Sequence, residues 1–394
     1  MKSQAYSLIC LITLVYSCHH ETNNSTRKYR DTLVVEKSLL LRLDSTQGLF
    51  NNNLNQFEYK GKTFFTFFNQ LTGNLHYYDA DSGKSFKVVS FQSEGPDGIG
   101  NRKDLIAHLP IGMDSVFIYN GWELRAFLFN GRGEKLRTYN FGESDLFRSN
   151  GPFNIAITND NRLYRHGKNI YINAQGLPDT NFGNKPVLLE FNLATENLTG
   201  LIFPPQSYAT HCWGINYSTN TFSCYAEKRK EFIISYGIEP HIYTYSQDGQ
   251  LNKKLTLGSE YFNNIKPYSS NLSDYMDMST YEERSNISQM NPKYYKILYF
   301  PNAKEEYFIR ETFLPRSKEE IQSGASHLRK TFIIADRHLQ KIGEYKVPKQ
   351  YTTSVFFTSK EGIYIADFEH YMENEGVIKF DLLIPQRVSE AKQQ

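Results

Sequence analysis

Tryptophan and cysteine are the scarcest residues of this chain, two and four respectively in 394. So few thiols exclude a scaffold held together by disulfides, and no Cys-x-x-Cys pair is present to suggest a structural zinc. Beyond the first seventeen residues no apolar run approaches the roughly 20 needed to cross a bilayer as a helix. No amphipathic helical period lasts more than about three turns, which speaks against a helical bundle. Lys and Arg number 44 against 42 for Asp and Glu, interspersed and without a basic tract. That near-balance lacks the electrostatic footprint of a nucleic-acid partner. Missing too are a Gly-x-Ser-x-Gly elbow, a His-Glu-x-x-His zinc motif and a spaced-Asp calcium loop. No cofactor, metal or catalytic residue is predicted.

What is present begins at the N-terminus. A short basic start at Lys2 precedes an apolar run, Ala5 to Tyr16, and then Ser17 and Cys18. That run is too short for a stable spanning helix and reads as a cleaved leader. Val15-Tyr16-Ser17-Cys18 resembles a lipobox, which makes residues 1–17 a signal peptide and Cys18 the lipidated first residue of the mature chain. Residues 18–31 are polar and too poor in apolar groups to bury themselves, as expected of a tether. A propeller domain is expected over 32–385, and a tail over 386–394. Cys212 and Cys224 flank Asn216 to Asn220. If that stretch turns a hairpin, the two sulfurs face each other as a disulfide; otherwise they are two buried thiols.

The 28 Tyr and 28 Phe sit in short bursts with β-branched neighbours, such as Thr63 to Phe68, Val116 to Tyr119 and Phe232 to Tyr236. Bursts of this length and composition are strand chemistry. A weak repeat follows: an alternating apolar strand, then Asp, Asn or Ser, then a turn with Gly, then a second strand. It occurs at Leu75–Val88, Phe127–Leu136, Leu188–Leu198, Ile242–Leu251, Phe332–Ile342 and Ile363–Val377. Six such units predict an all-β fold, a six-bladed β-propeller of four-stranded antiparallel blades, with Leu33 to Leu43 closing the ring on the last blade. Ser317 to Arg329 is the one stretch predicted as a surface helix.

In this combination the chain resembles the six-bladed, TolB-like β-propeller lipoproteins of Bacteroidota, in particular a family classed as a domain of unknown function. The likeness rests on Cys18, on the loop Glu94-Gly95-Pro96-Asp97-Gly98-Ile99-Gly100 and on the strand Tyr307-Phe308-Ile309-Arg310. It implies a fold and an envelope location, with the outer membrane the expected lipid surface, but no established activity.

Five residues stand out as candidate ligand contacts. Asp97 tips the glycine loop, which lacks the continuation of a phosphate-binding loop and reads better as a turn between blades. His211 beside Trp213 suits stacking on a sugar or peptide, or closes a blade edge. His241 follows Pro240 into a strand and faces either the central opening or solvent. Arg310, inside an aromatic run, either binds an anion in the channel or pairs with an acid such as Glu311. Thr32, in an Asp-Thr-Leu triplet, is a candidate O-glycosylation site on the tether. The function expected is a non-catalytic binding or scaffolding propeller, lipid-anchored in the cell envelope, holding a small ligand, peptide, glycan or envelope partner at the channel mouth. The competing expectation is a hydrolase or lyase acting on a lactone or glycan.

Overall fold

The structure, a computed structural model, describes residues 31–43, 48, 52–150, 153–155, 163–176, 184–214, 221–301, 305–323 and 329–387. Cys18, the leader and the segment 19–30 lie outside the described residues. Strands run from Asp31 to Arg387, slightly beyond the 32–385 expected. Thr32 is inside the first of them, paired with Gln386, so it is not on a tether.

Four-stranded antiparallel sheets dominate the architecture. The first spans Asn52–Tyr59, Lys62–Asn69, Asn74–Asp79 and Ser85–Ser90. The second covers 106–140, the third 153–202 and the fourth 221–256, each in simple chain order. The opening strand of the third is split into Phe153–Ile155 and Tyr164–His166. Strands over 293–346 and 351–387 form an eight-stranded sheet together with Asp31–Arg42. It consists of two four-stranded halves that touch at one parallel pairing, Asp31 with Gly343. The N-terminal strand is the fourth strand of the last set, antiparallel to Val377–Arg387 over its whole length. Closure of the last sheet by the N-terminal strand is therefore as the sequence predicts.

Third strands read as nearly continuous buried runs, whereas fourth strands such as Ser85–Ser90 and Leu251–Thr256 are mostly exposed. A strand covered on both faces loses its apolar-polar alternation. Six apolar clusters supply that cover, each between neighbouring sheets. They join first to second, second to third, third to fourth, fourth to fifth, fifth to sixth, and sixth back to first. The packing circuit is closed, and the fold is propeller-like.

The repeated turn chemistry is visible atom by atom. Asp79, Asn130, Asn192 and Asp336 each accept a backbone N–H two or three residues on, and Ser246 accepts from Gln250. These side-chain turns end the third strand of five sheets. The left-handed position is Gly83, Gly133 and Gly249 in three of them but Glu196 and Leu339 in the others, which is why glycine drops out of those two repeats. The sixth unit departs from the expectation. Asp367 accepts from His370 N and caps the helix Phe368–Glu373 instead of a hairpin, and Val377 opens a third strand rather than a fourth. Ser317 caps a helix as predicted, but the helix is only Lys318–Gln322.

Two ends of the molecule differ. The helices Asp145–Asn150, Tyr281–Met290, Lys318–Gln322 and Phe368–Glu373 all lie in joins between second and third strands or between successive sheets, at one end. The other end carries the short hairpins, and both Asp31 and Arg387 emerge there.

Gly343 sits where the two halves of the long sheet meet, and an added Cβ would fall 1.9 Å from the Asp31 carbonyl oxygen. Gly343→Ala is expected to pry the N-terminal strand away at a cost of about 1–3 kcal/mol. A lower urea midpoint with an unchanged denaturant slope would report it.

Candidate ligand-binding site

The first strand of every sheet is an edge whose backbone faces the centre, without a strand partner on that side. Edge carbonyls withdrawn from water must find donors elsewhere. Side chains of the adjoining sheet supply them. Asn53 and Asn55 of the first sheet donate to Ile106 O and His108 O at 2.9 and 2.8 Å. Ser235 of the fourth donates to Tyr295 O at 2.6 Å, and Lys296 of the fifth donates to Thr353 O. Tyr295 and Thr353 lie at bulges, where register shifts free their carbonyls from the ladder.

Arg310 is the extreme case. Fully buried, it donates to Ser235 Oγ and to the carbonyls of Tyr236, Glu239, Pro240, His241 and Leu257, at 2.9–3.2 Å, with its guanidinium over the Tyr294 ring. Burial pulls its pKa down to about 10, which leaves it charged at neutral pH. The expected anion-binding role in an open channel is corrected: its donors are consumed in fastening the fifth sheet to the fourth. Nor does it pair with Glu311, whose partners are Lys296 at 3.0 Å and Lys330 at 3.4 Å. Burial alone would raise the Glu311 carboxyl, but those two ammonium groups hold it below its usual range. Arg310→Met is expected to cost at least about 3 kcal/mol, because its acceptors are left buried and unpaired. Thermal unfolding measures the loss.

At the hairpin end the centre opens into a cavity of about 500 Å³ lined by the first strands of all six four-stranded sets. This volume falls in the range of small-molecule sites. Because first strands run in parallel around the centre, register translates into depth. Asn55, Leu109, Leu163, Ser223, Ile297 and Phe356 lie deepest. Glu58, Ile111, Arg165, Glu227, Pro301 and Lys360 lie at the rim. Charge is thus confined to the rim, where Lys360 and Glu58 pair at 3.0 Å. The wall between third and fourth sheets is polar but neutral. Tyr164 hydroxyl and Ser223 Oγ share a hydrogen bond of 2.7 Å, and Ser223 donates to Asn173 Oδ1 at 2.6 Å. Burial raises the Tyr164 phenol far above its ordinary value, so it stays protonated. The Gln56 Oε1 atom is buried here without a hydrogen-bond partner.

None of the five sequence candidates is among the described residues of that lining; all lie toward the helix-bearing end. Asp97 is exposed on a loop that Lys135 fastens through Pro96 O and Gly98 O, at 2.7 and 2.8 Å. At Gly98 a Cβ would meet Ser93 O at 2.7 Å, so the glycine there is a packing requirement of a turn between sheets. Trp213 is half-buried, its indole N–H given to Ser207 O and its backbone N–H to the Tyr275 hydroxyl. His211 shares a hydrogen bond with Thr210 and lies 5.9 Å from the indole. His241 contacts Glu239 at 3.2 Å. Cys212 and Cys224 are free thiols, so the disulfide is corrected to the alternative. Cys212 forms a backbone bridge to Ser269, while Cys224 pairs with Ile233 in mid-strand, so among the described residues the two cysteines have different strand partners. Burial pushes both thiols up. Sequence reading expected a ligand at the channel mouth but, apart from Cys224, singled out for a disulfide, named none of the residues that line this cavity. Among the described residues no group of three His, Cys, Asp or Glu could hold a metal, and no helix is long and apolar enough to cross a membrane.

One buried cation carries a pH signature. Lys293, at the start of a first strand, donates to Ser288 Oγ at 3.2 Å, and burial lowers its pKa to about 8. Folding thus works against the proton below pH 8, and the penalty fades as pH rises toward 10.5. Lys293→Met is expected to gain up to roughly 3 kcal/mol at pH 7. The difference from wild type should vanish near pH 10.5, in urea titrations run at both values.

The closed packing circuit of four-stranded sheets around a central cavity places the chain among propeller-like all-β proteins. The profile of a family described as "Domain of unknown function (DUF4221)" matches residues 31–346, and the chain belongs to that family. A crystal structure of a member from Bacteroides vulgatus superposes with a TM-score of 0.74 at 19% identity, covering 92% of this chain and all of the other. A Bacteroides fragilis crystal structure described as that of a "Putative exported protein" is similar at a TM-score of 0.50 and 9% identity, over 90% of this chain and 97% of its own. No curated protein matches the sequence.

Proposed function

We propose that the protein is a lipid-anchored, six-bladed β-propeller of the cell envelope that binds a small ligand in the hairpin-end cavity. The six four-stranded sets are the blades, and the N-terminal strand closes the ring. Residues 1–17 are the leader, and acylated Cys18 is the anchor. The observation that carries the binding reading is the cavity: about 500 Å³, walled by every blade, uncharged in depth and charged only at its rim. The deeper of its two serines, Ser223, supports binding over nucleophilic catalysis. Ser223 gives its proton to an amide oxygen, which cannot act as the base that a serine nucleophile requires. The exported B. fragilis neighbour is consistent with an envelope location.

Thr358 lines the cavity and is partly exposed, so a bulky replacement can project into the space. Thr358→Trp is expected to abolish co-purification of any small molecule seen by native mass spectrometry of the wild type, while leaving the melting temperature within about 2 °C, as for a surface change. An occupied cavity in that variant would refute the site. Cys18→Ala should move the protein from the membrane fraction to the soluble one and end palmitate incorporation.

A further inference from the structure

We infer that the cavity takes a single-chain amphiphile with a zwitterionic head, received from the lipid side of the anchored protein. The inference rests on the lipid-anchored binding reading above and adds to it the ligand class and the direction of entry. Two independent observations carry it.

The first is the layering of the cavity. Four of the six deepest lining residues, Leu109, Leu163, Ile297 and Phe356, are apolar beside the neutral Asn55 and Ser223, with Phe57 and Leu298 nearer the opening. An acyl or similar body is matched by such a wall, since apolar area leaving water is the main source of affinity there. The charged lining residues are two acids, Glu58 and Glu227, and two bases, Arg165 and Lys360, all at the rim. Lys360 and Glu58 pair with each other at 3.0 Å, so a head carrying both signs can meet Arg165 and Glu227 or exchange into that pair, whereas an anion or a cation alone meets as much repulsion as attraction. A glycan would leave most of the deep apolar wall without a matching surface.

The second is the position of the chain end. Asp31 leaves the fold at the hairpin end, the end where the cavity opens. Twelve residues, 19–30, separate it from the anchor Cys18, and the thirteen Cα steps span at most about 45 Å. To present the opposite end to the bilayer, that segment would have to run back beside the strand Asp31–Arg42, whose twelve residues are about 40 Å long. Nearly the whole reach would be consumed. The shorter path favours the cavity mouth facing the lipid.

The test uses the full lipid-anchored protein in vesicles of phosphatidylethanolamine and phosphatidylglycerol. NBD-labelled lysophosphatidylethanolamine, below its micellar concentration, should bind saturably at one site per protein. Thr358→Trp should weaken that binding at least tenfold, and Trp122→Ala at the far end should leave it unchanged. Lys360→Glu, an exposed rim change, should weaken it severalfold and keeps the idea testable if Thr358→Trp misfolds. A bimane label on Ser359→Cys should be quenched by doxyl lipids at least twice as strongly as one on Trp122→Cys. Probe binding that is absent, or indifferent to both cavity variants, overturns the inference, as does equal or reversed quenching. If a polar metabolite or glycan fragment occupies the cavity instead and Thr358→Trp excludes it, the amphiphile fails while the binding reading stands. An empty cavity under every condition ends both.

Discussion

The constraint on which this structure depends is the bare inner edge of each sheet. A strand at the centre of a ring of sheets cannot find another strand on its inner side, because its neighbours there belong to sheets turned away from it. Its carbonyls still require donors. Here they are met by side chains reaching from one sheet to the next, Asn53 and Asn55 to the second, Ser235 to the fifth, Lys296 to the sixth. The polar residues that satisfy the edges therefore also tie the sheets to one another. Arg310 concentrates this role, gathering five carbonyls of the fourth sheet and the join after it into one guanidinium.

That arrangement separates the two ends of the centre. Toward the helix-bearing end, buried charges such as Lys296, Glu311 and Arg310 are committed to structure. Toward the hairpin end, the first strands leave room between them, lined by apolar and neutral polar side chains in depth and by charged ones at the rim. The cavity is what remains once the stitching is complete, and its charged groups sit only where water reaches them. The residues that draw attention by chemical type and those that shape the open space are thus largely different sets.

This separation explains what could be read from the sequence. Strand character was legible because aromatic and β-branched residues cluster in runs that only a doubly covered strand accommodates. The turns were legible through Asp79, Asn130, Asn192, Ser246 and Asp336, whose side chains act on their own backbone a few residues away. Interactions between distant segments were not. Arg310 looked available because its acceptors are carbonyls, and a carbonyl has no signature in sequence. The Cys212 and Cys224 pairing assumed a local hairpin, whereas Cys212 answers to Ser269 in a long insertion. The cavity takes three or four residues from each of six segments spread between positions 55 and 360, too few in any one place to form a motif.

The N-terminal strand has a kinetic meaning as well as an architectural one. Its register runs from Asp31 opposite Arg387 to Arg42 opposite Val377, so the first segment of the fold to be made is completed by the last. Closing so long a loop adds only slowly to the entropic cost, but it makes the closing contact as non-local as a chain of this length allows. Until the final strand arrives, the ring is an open arc with an exposed sheet edge at either side of the gap, the kind of surface on which chains aggregate. Losing the strand Val377–Arg387 would leave the protein in that condition permanently, with most of its sheets intact and the circle never sealed.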